Sequence, residues 1–166
     1  MMMMKWLLAA TTCAAIVAMA PAAAALDAKR TVIVCSGAND PVALNNLAWL
    51  YQHGYGVPQD LTKAVDYYTQ SVGLGYSSAL CNLGYLYFHG LGVEQDHAKA
   101  FELFHRAVDA DNATAMFNLA LLHLDPDSGH YDVSRAASLL KKCVLAGIAE
   151  ARDLLADLHL EEAPRA

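Results

Sequence analysis

Residues 41–76 read PVALNNLAWLYQHGYGVPQDLTKAVDYYTQSVGLGY, and residues 77–112 follow without a gap as SSALCNLGYLYFHGLGVEQDHAKAFELFHRAVDADN. Laid over each other, the two stretches share 15 identical positions, including His53-Gly54, Gly56-Val57, Gln59-Asp60 and Lys63-Ala64 with their copies. The register continues beyond them: Ala43, Ala79, Ala115 and Ala151 share one position, and Leu47, Leu83, Leu119 and Leu155 another. A period of 36 residues marks a solenoid, in which one supersecondary unit buries its apolar face only by stacking on the next.

Each unit has room for two helices. Ala43, Leu47, Leu50 and Tyr51 recur at spacings of three and four, which places them on one helical face. Asp40-Pro41 opens that helix, with Asp as cap and Pro where a missing N–H costs nothing. Gly54 and Gly56 end it, because glycine reaches positive φ at low cost. Asp60 caps the second helix, whose inward side is Ala64, Tyr67, Tyr68, Ser71 and Val72, and Gly73 and Gly75 close it. In the second unit Ser77 is the expected first cap, Asp96 the second, and Ala100, Phe101, Phe104, Ala107 and Val108 pack inward.

The third unit keeps Asn118, Leu119, Asp132, Arg135 and Ala136 in register, but Asp125-Pro-Asp-Ser-Gly-His-Tyr131 replaces the glycine turn at unchanged length. Pro126 and Gly129 supply a different turn chemistry. A further helix over residues 148–160 starts a fourth unit and stops. Its Asp153, Asp157, Glu161 and Glu162 suit a terminal cap with a polar outer face.

The run Ala43-x3-Leu47-x3-Tyr51-x2-Gly54-x-Gly56-Val57-x2-Asp60-x2-Lys63-Ala64 and its copy from Ala79 to Ala100 closely resemble the Sel-one-like repeat of the tetratricopeptide-like superfamily. The resemblance implies an all-α, right-handed α-solenoid. It has three helix-turn-helix repeats over residues 41–76, 77–112 and 113–148 and a capping helix over 148–160, with the first helices lining a concave face. It also implies an adaptor or scaffold, a non-enzymatic module that binds a partner protein or peptide.

Residues 1–40 lie outside the repeats. Lys5, the apolar run from Trp6 to Ala20 and Ala23-Ala24-Ala25 have the order of a secretory signal peptide, so cleavage near Ala25 and a periplasmic or secreted product are expected. Residues 26–40 form an N-terminal extension whose Thr31-Val-Ile-Val34 is β-branched and reads as extended, and 161–166 a short tail. After cleavage 17 acidic residues face 10 basic ones, a net charge of −7, which argues against a nucleic-acid partner. No membrane span is expected in the mature chain. Cys35, Cys81 and Cys143 remain, an odd number, so one bridge at most can form. Cys35 with Cys81 requires the extension to fold back over the first unit.

Function has to be sought on exposed repeat positions. Asn46, Asn82 and Asn118 form a ladder of amides, one per unit, able to hydrogen-bond the backbone of an extended peptide, as asparagines do in peptide-binding relatives of the superfamily. The alternative is that each Asn bonds a neighbouring helix as part of the repeat's own fabric. Trp49 and Tyr85, with Phe88 and Phe117, are candidate aromatic anchors, with core packing the alternative that accounts for at least half of them. Of the seven histidines, His53 and His89 are repeat equivalents and His123 and His159 replace the repeat Tyr, so their positions follow the 36-residue copying rather than ligand spacing, and no metal or other cofactor is expected. Asp125-x-Asp127-x-Gly129 lacks the distal Glu of a calcium loop and reads as a capped turn. No nucleophile elbow or phosphate loop occurs. Cysteine-rich secreted members of the resembled family suggest a second reading, β-lactam or peptidoglycan-fragment binding or weak β-lactamase activity. Cys81 matches half of their cysteine pattern, and Ser138-x-x-Lys141 lacks a Lys-Thr-Gly companion.

Overall fold

The computed structural model describes residues 40–161. Seven α-helices occur among them: α1 (Pro41–His53), α2 (Leu61–Gly73), α3 (Ser77–His89), α4 (His97–Asp109), α5 (Ala113–Leu124), α6 (Val133–Leu145) and α7 (Ala149–Glu161), with a 3-10 turn over Pro126–Ser128. Consecutive helices pack as pairs, α1 on α2, α3 on α4 and α5 on α6, and each pair stacks on the next to form an α-solenoid that α7 closes against α6. The signal-peptide and extension readings, and Cys35, lie outside the described residues.

The same cap opens every second helix. Oδ1 of Asp60, Asp96 and Asp132 accepts the backbone N–H of Lys63, Lys99 and Arg135 at 3.0, 2.8 and 2.9 Å. Each such bond contributes about 1 kcal/mol by satisfying an otherwise orphaned donor. Among the first helices, Asp40 accepts from Val42 N–H and Asn112 from Ala115 N–H, both at 3.0 Å. Ser77 does not cap α3. It is the first helical residue, the cap position is Tyr76, and no side chain bonds there. The chain leaves α2 through Gly75 at φ 86° and Tyr76 N–H returns to Ser71 O, so α3 begins at once with backbone bonding alone.

The turns inside units one and two are copies. Gly54 and Gly90 sit at φ 71° and 65° and donate to Leu50 O and Leu86 O, which the next residue's N–H also reaches, so each helix ends on a left-handed glycine cap. Each turn ends in a strut, Asp60 N–H to Tyr51 O and Asp96 N–H to Tyr87 O. The rewritten third loop arrives at the same place: Asp132 N–H donates to His123 O at 2.8 Å. On the way Asp125 Oδ1 accepts Asp127 N–H, Ser128 Oγ donates to Asp125 O and accepts His130 N–H, and Phe101 of α4 stacks on the His130 ring at 4.1 Å. Asp125 and Asp132 therefore serve turn and cap, as the capped-turn reading has it.

The core follows the register. Ala79, Ala115 and Ala151 are fully buried where units meet, as are Ser71, Ala107 and Cys143 at one position of the second helices. Ser71 Oγ donates to Pro41 O at 2.6 Å, tying α2 back to the start of α1. A small residue on each first helix, Ala48, Gly84 or Ala120, has its counterpart in a large buried one on the second, Tyr68, Phe104 or Leu140. In the second unit the fit is tight: a Cβ on Gly84 would lie 2.8 Å from a ring carbon of Phe104. At the open end Leu155 is half-buried, although its counterparts Leu47, Leu83 and Leu119 are buried.

Candidate interaction face

Neighbouring first helices touch through side chains. Asn82 Nδ2 on α3 donates to Asn45 Oδ1 on α1 at 2.9 Å, and Asn118 Nδ2 on α5 donates to Cys81 Sγ on α3 at 3.3 Å. Both bonds reach back by one unit plus one residue, because Asn45 and Cys81 are repeat equivalents. Asn45 in turn directs Nδ2 toward Asn46 Oδ1 at 3.5 Å. With α3 also packed on α5, the first helices form one continuous side of the stack.

The asparagine ladder thus has two jobs to divide. One N–H of Asn82 and one of Asn118 hold adjacent units in register, as the fabric reading has it. A primary amide has two N–H donors and an acceptor oxygen, so one donor per side chain remains beyond these bonds. Asn46 is exposed and Asn82 and Asn118 are half-buried, which leaves the ladder within reach of a ligand.

The aromatic candidates separate. Trp49 and Tyr85 are half-buried equivalents on α1 and α3. Trp49 stacks on His53 at 4.3 Å and on Tyr55 at 5.2 Å, and Tyr85 packs against His89 at 4.3 Å. Phe88 is also half-buried and lies over His97 at 5.2 Å. Phe117 is not a surface anchor: at 6% exposure it belongs to the core beside Ala120 and Leu140, because its position on α5 corresponds to Asn45 and Cys81, which face the first helix of the following unit. Burial raises the Tyr85 phenol above its ordinary pKa, and loss of water around the ring, together with His97 nearby, lowers that of His89.

Two features of this face escape a residue-by-residue reading. Tyr55, 57% exposed, extends the Trp49 cluster from the turn. More broadly, α1, α3 and α5 contain no Asp, Glu, Lys or Arg, whereas α2, α4 and α6 carry Lys63, Asp66, Lys99, Glu102, Arg106, Asp109, Arg135, Lys141 and Lys142. That segregation is visible in the sequence once helices are assigned, but not from motif spacing.

Elsewhere the chemistry is sparse. No group of His, Cys, Asp and Glu able to hold a metal occurs among the described residues. Ser138 and Lys141 are both solvent-exposed on α6. Cys143 is fully buried, and burial pushes its thiol up to about 11 from an ordinary 9.0. Its thiolate population near neutral pH is therefore about a hundredfold below that of an exposed cysteine. Native protein treated with a maleimide at pH 7.5 and mapped by mass spectrometry is expected to label Cys143 at least about a hundredfold more slowly than guanidinium-unfolded protein. Equal rates would show the site to be open.

A family model described as the Sel1 repeat matches residues 41–76, 77–112 and 113–142. Among solved structures, a protective antigen present in uropathogenic Escherichia coli strains and displaying an SLR fold superposes with a TM-score of 0.73 at 22% identity, over 83% of this chain and 30% of the antigen. A Sel1 repeat protein from Oxalobacter formigenes gives a TM-score of 0.71 at 21% identity, over 80% of this chain and 56% of its own. The chain thus spans about a third to just over half the length of these neighbours. No curated protein matches it. No helix among the described residues is long and apolar enough to cross a membrane.

Proposed function

Because this chain belongs to the Sel1 repeat family, we propose that it is a non-enzymatic interaction module whose first-helix face, through Asn46, Asn82, Asn118, Trp49 and Tyr85, binds a partner protein or peptide. The observation that carries this reading is the incomplete burial of these side chains. Trp49 and Tyr85 present ring surface that intra-chain packing does not consume, and the amides retain donors after bridging the units. Rigid helices hold the row at one-unit intervals, so a ligand meets a preorganised surface. The Lys5-to-Ala25 pattern places the module in the periplasm or outside the cell in this reading.

The test is capture from a periplasmic extract on immobilised protein, with wild type beside an Asn82→Ala, Tyr85→Ala double variant. Losing the Asn82 bond strands the oxygen of buried Asn45 and costs about 1 to 3 kcal/mol. Circular dichroism must therefore confirm that the variant is folded at the assay temperature. The folded variant is expected to lose the partner that wild type retains. A partner held equally by both would place binding elsewhere.

A further inference from the structure

The two junctions between units are closed by different chemistry at one register position. Leu61, the first residue of α2, lies against Gly92 in the turn of unit two. Its equivalent in the next unit is His97, the first residue of α4, and it meets the loop of unit three: Nδ1 lies 3.2 Å from the backbone oxygen of Asp127. An imidazole therefore holds the seat that unit one gives to an aliphatic side chain. Two more histidines belong to the same junction. His130 of the loop stacks on Phe101 of α4 at 4.1 Å, and His123 of α5 donates from Nδ1 to His130 O at 2.6 Å.

The partners of His97 select one neutral tautomer. A carbonyl oxygen only accepts, so Nδ1 carries the proton and donates it to Asp127 O. Nε2 lies 2.9 Å from the Gln95 amide nitrogen, which only donates, so Nε2 carries none. The Gln95 amide is itself fixed, because the same nitrogen donates to Phe88 O at 2.8 Å, as Gln59 does to Gln52 O at 2.9 Å in unit one. The chain from Phe88 through Gln95 and His97 to Asp127 thus closes around a neutral imidazole. A second proton, taken from water at Nε2, sets N–H against N–H and breaks the bond to Gln95 or the one to Asp127.

A second titrating ring is in contact with the same site. His89 and His97 both pack on Phe88, at 4.8 and 5.2 Å between ring centroids, and loss of water around His89, together with His97 nearby, lowers the His89 pKa. A histidine depressed in the folded state contributes stability that is present above its unfolded value of about 6.5 and lost as pH falls through the folded one. The carboxylates around His97 are otherwise engaged or exposed. Asp96 ahead of α4 and Asp125 and Asp132 of the loop hold backbone N–H groups, and Glu94 and Asp127 are exposed. Lys99 of α4 pairs with Glu102, and no ion pair among the described residues involves His97.

We infer that the junction between units two and three is an acid-sensitive latch. Neutral His97 holds the third loop against the start of α4. Its protonation releases the loop, so acid loosens unit three from unit two while the junction of Leu61 with Gly92 stays closed.

Hydrogen exchange of the full chain, read by mass spectrometry at pH 7.5 and 5.5 and corrected for the intrinsic pH dependence of exchange, tests the latch. The loop over residues 125–132 has bonded amides at Asp127, Ser128, His130 and Asp132. In wild type these are expected to lose protection by about tenfold or more at the lower pH, while the equivalent turn of unit two, with Leu91 and Asp96 N–H bonded, keeps its own. His97→Asn supplies an N–H donor without a titrating group, and His97→Leu transplants the residue used by unit one. Whichever folds by circular dichroism is expected to show equal loop protection at both pH values. Unchanged protection of residues 125–132 in wild type would overturn the latch. The same loss in the folded His97 variants would overturn it too, by assigning the acid response to His89, His123 or His130.

Discussion

Gly92→Ala is expected to destabilise the protein by at least about 3 kcal/mol and lower its thermal midpoint by on the order of 10 °C or more. Two costs combine at this position. Gly92 sits at φ 74°, where an alanine costs about 1–2 kcal/mol. A Cβ there would also lie 2.6 Å from the carbonyl carbon and oxygen of Leu61, and backbone at the start of α2 cannot step aside as a flexible side chain would. The turn of unit two is seated against the second helix of unit one, so the damage falls on the junction between units. Stability in a repeat protein is roughly a sum of unit and interface contributions, and a broken junction uncouples the stack. Gly129→Ala is the control: its φ is 72° but nothing lies within 4 Å of the added carbon, so about 1 kcal/mol is expected from backbone strain alone. Urea melts followed by circular dichroism compare the two. Equal losses would mean that the contact with Leu61 contributes nothing.

Phe104→Ala is expected to cost about 3–5 kcal/mol, the usual range for emptying a fully buried aromatic site. At 1% exposure, with Gly84 against one edge, the ring fills the crossing of α3 and α4. Its partner gives the sharper experiment. Gly84→Ala introduces a carbon 2.8 and 2.9 Å from two ring atoms and 3.3 Å from Leu103 Cβ, an overpacking of about 1–3 kcal/mol despite the gain in helix propensity. The third unit solves the same crossing with Ala120 and Leu140, both fully buried. Gly84→Ala combined with Phe104→Leu therefore transplants a pair already used in this chain. The double variant is expected to be more stable than the summed single changes by about 1–2 kcal/mol, read from a double-mutant cycle in urea. Strict additivity would show that the two positions do not share one packing site.

Much of this architecture was legible because it is periodic. The spacing of Ala43, Leu47, Leu50 and Tyr51, and the aspartates at 60, 96 and 132, read directly as helix faces and caps, since each depends on residues within one turn. Ser77 misled because a hydroxyl before an apolar run is only a local signal. The turn at Gly75 and Tyr76 had already satisfied the helix start through backbone bonds. Phe117 misled for a related reason: its row holds Asn45 and Cys81 in the other units, and no local pattern says that this row faces the first helix of the following unit.

The candidate face divides along the same line. That asparagines recur at 46, 82 and 118 is a property of the sequence, and so is the absence of Asp, Glu, Lys and Arg from every first helix of the three units. How the amides are used is not. Which donors bridge units depends on the distance between helices 36 residues apart, and that distance comes from packing along the whole stack. By itself the sequence determined the unit, its length, its caps and the copying of its turns, because local hydrogen bonding and hydrophobic period act over a few residues. Only the tertiary structure decided that Gly92 lies against Leu61, that Gly84 makes room for Phe104 and that two of the three ladder amides, Asn82 and Asn118, tie neighbouring units together. Those contacts join residues far apart in the chain, and their geometry exists only once the units have stacked.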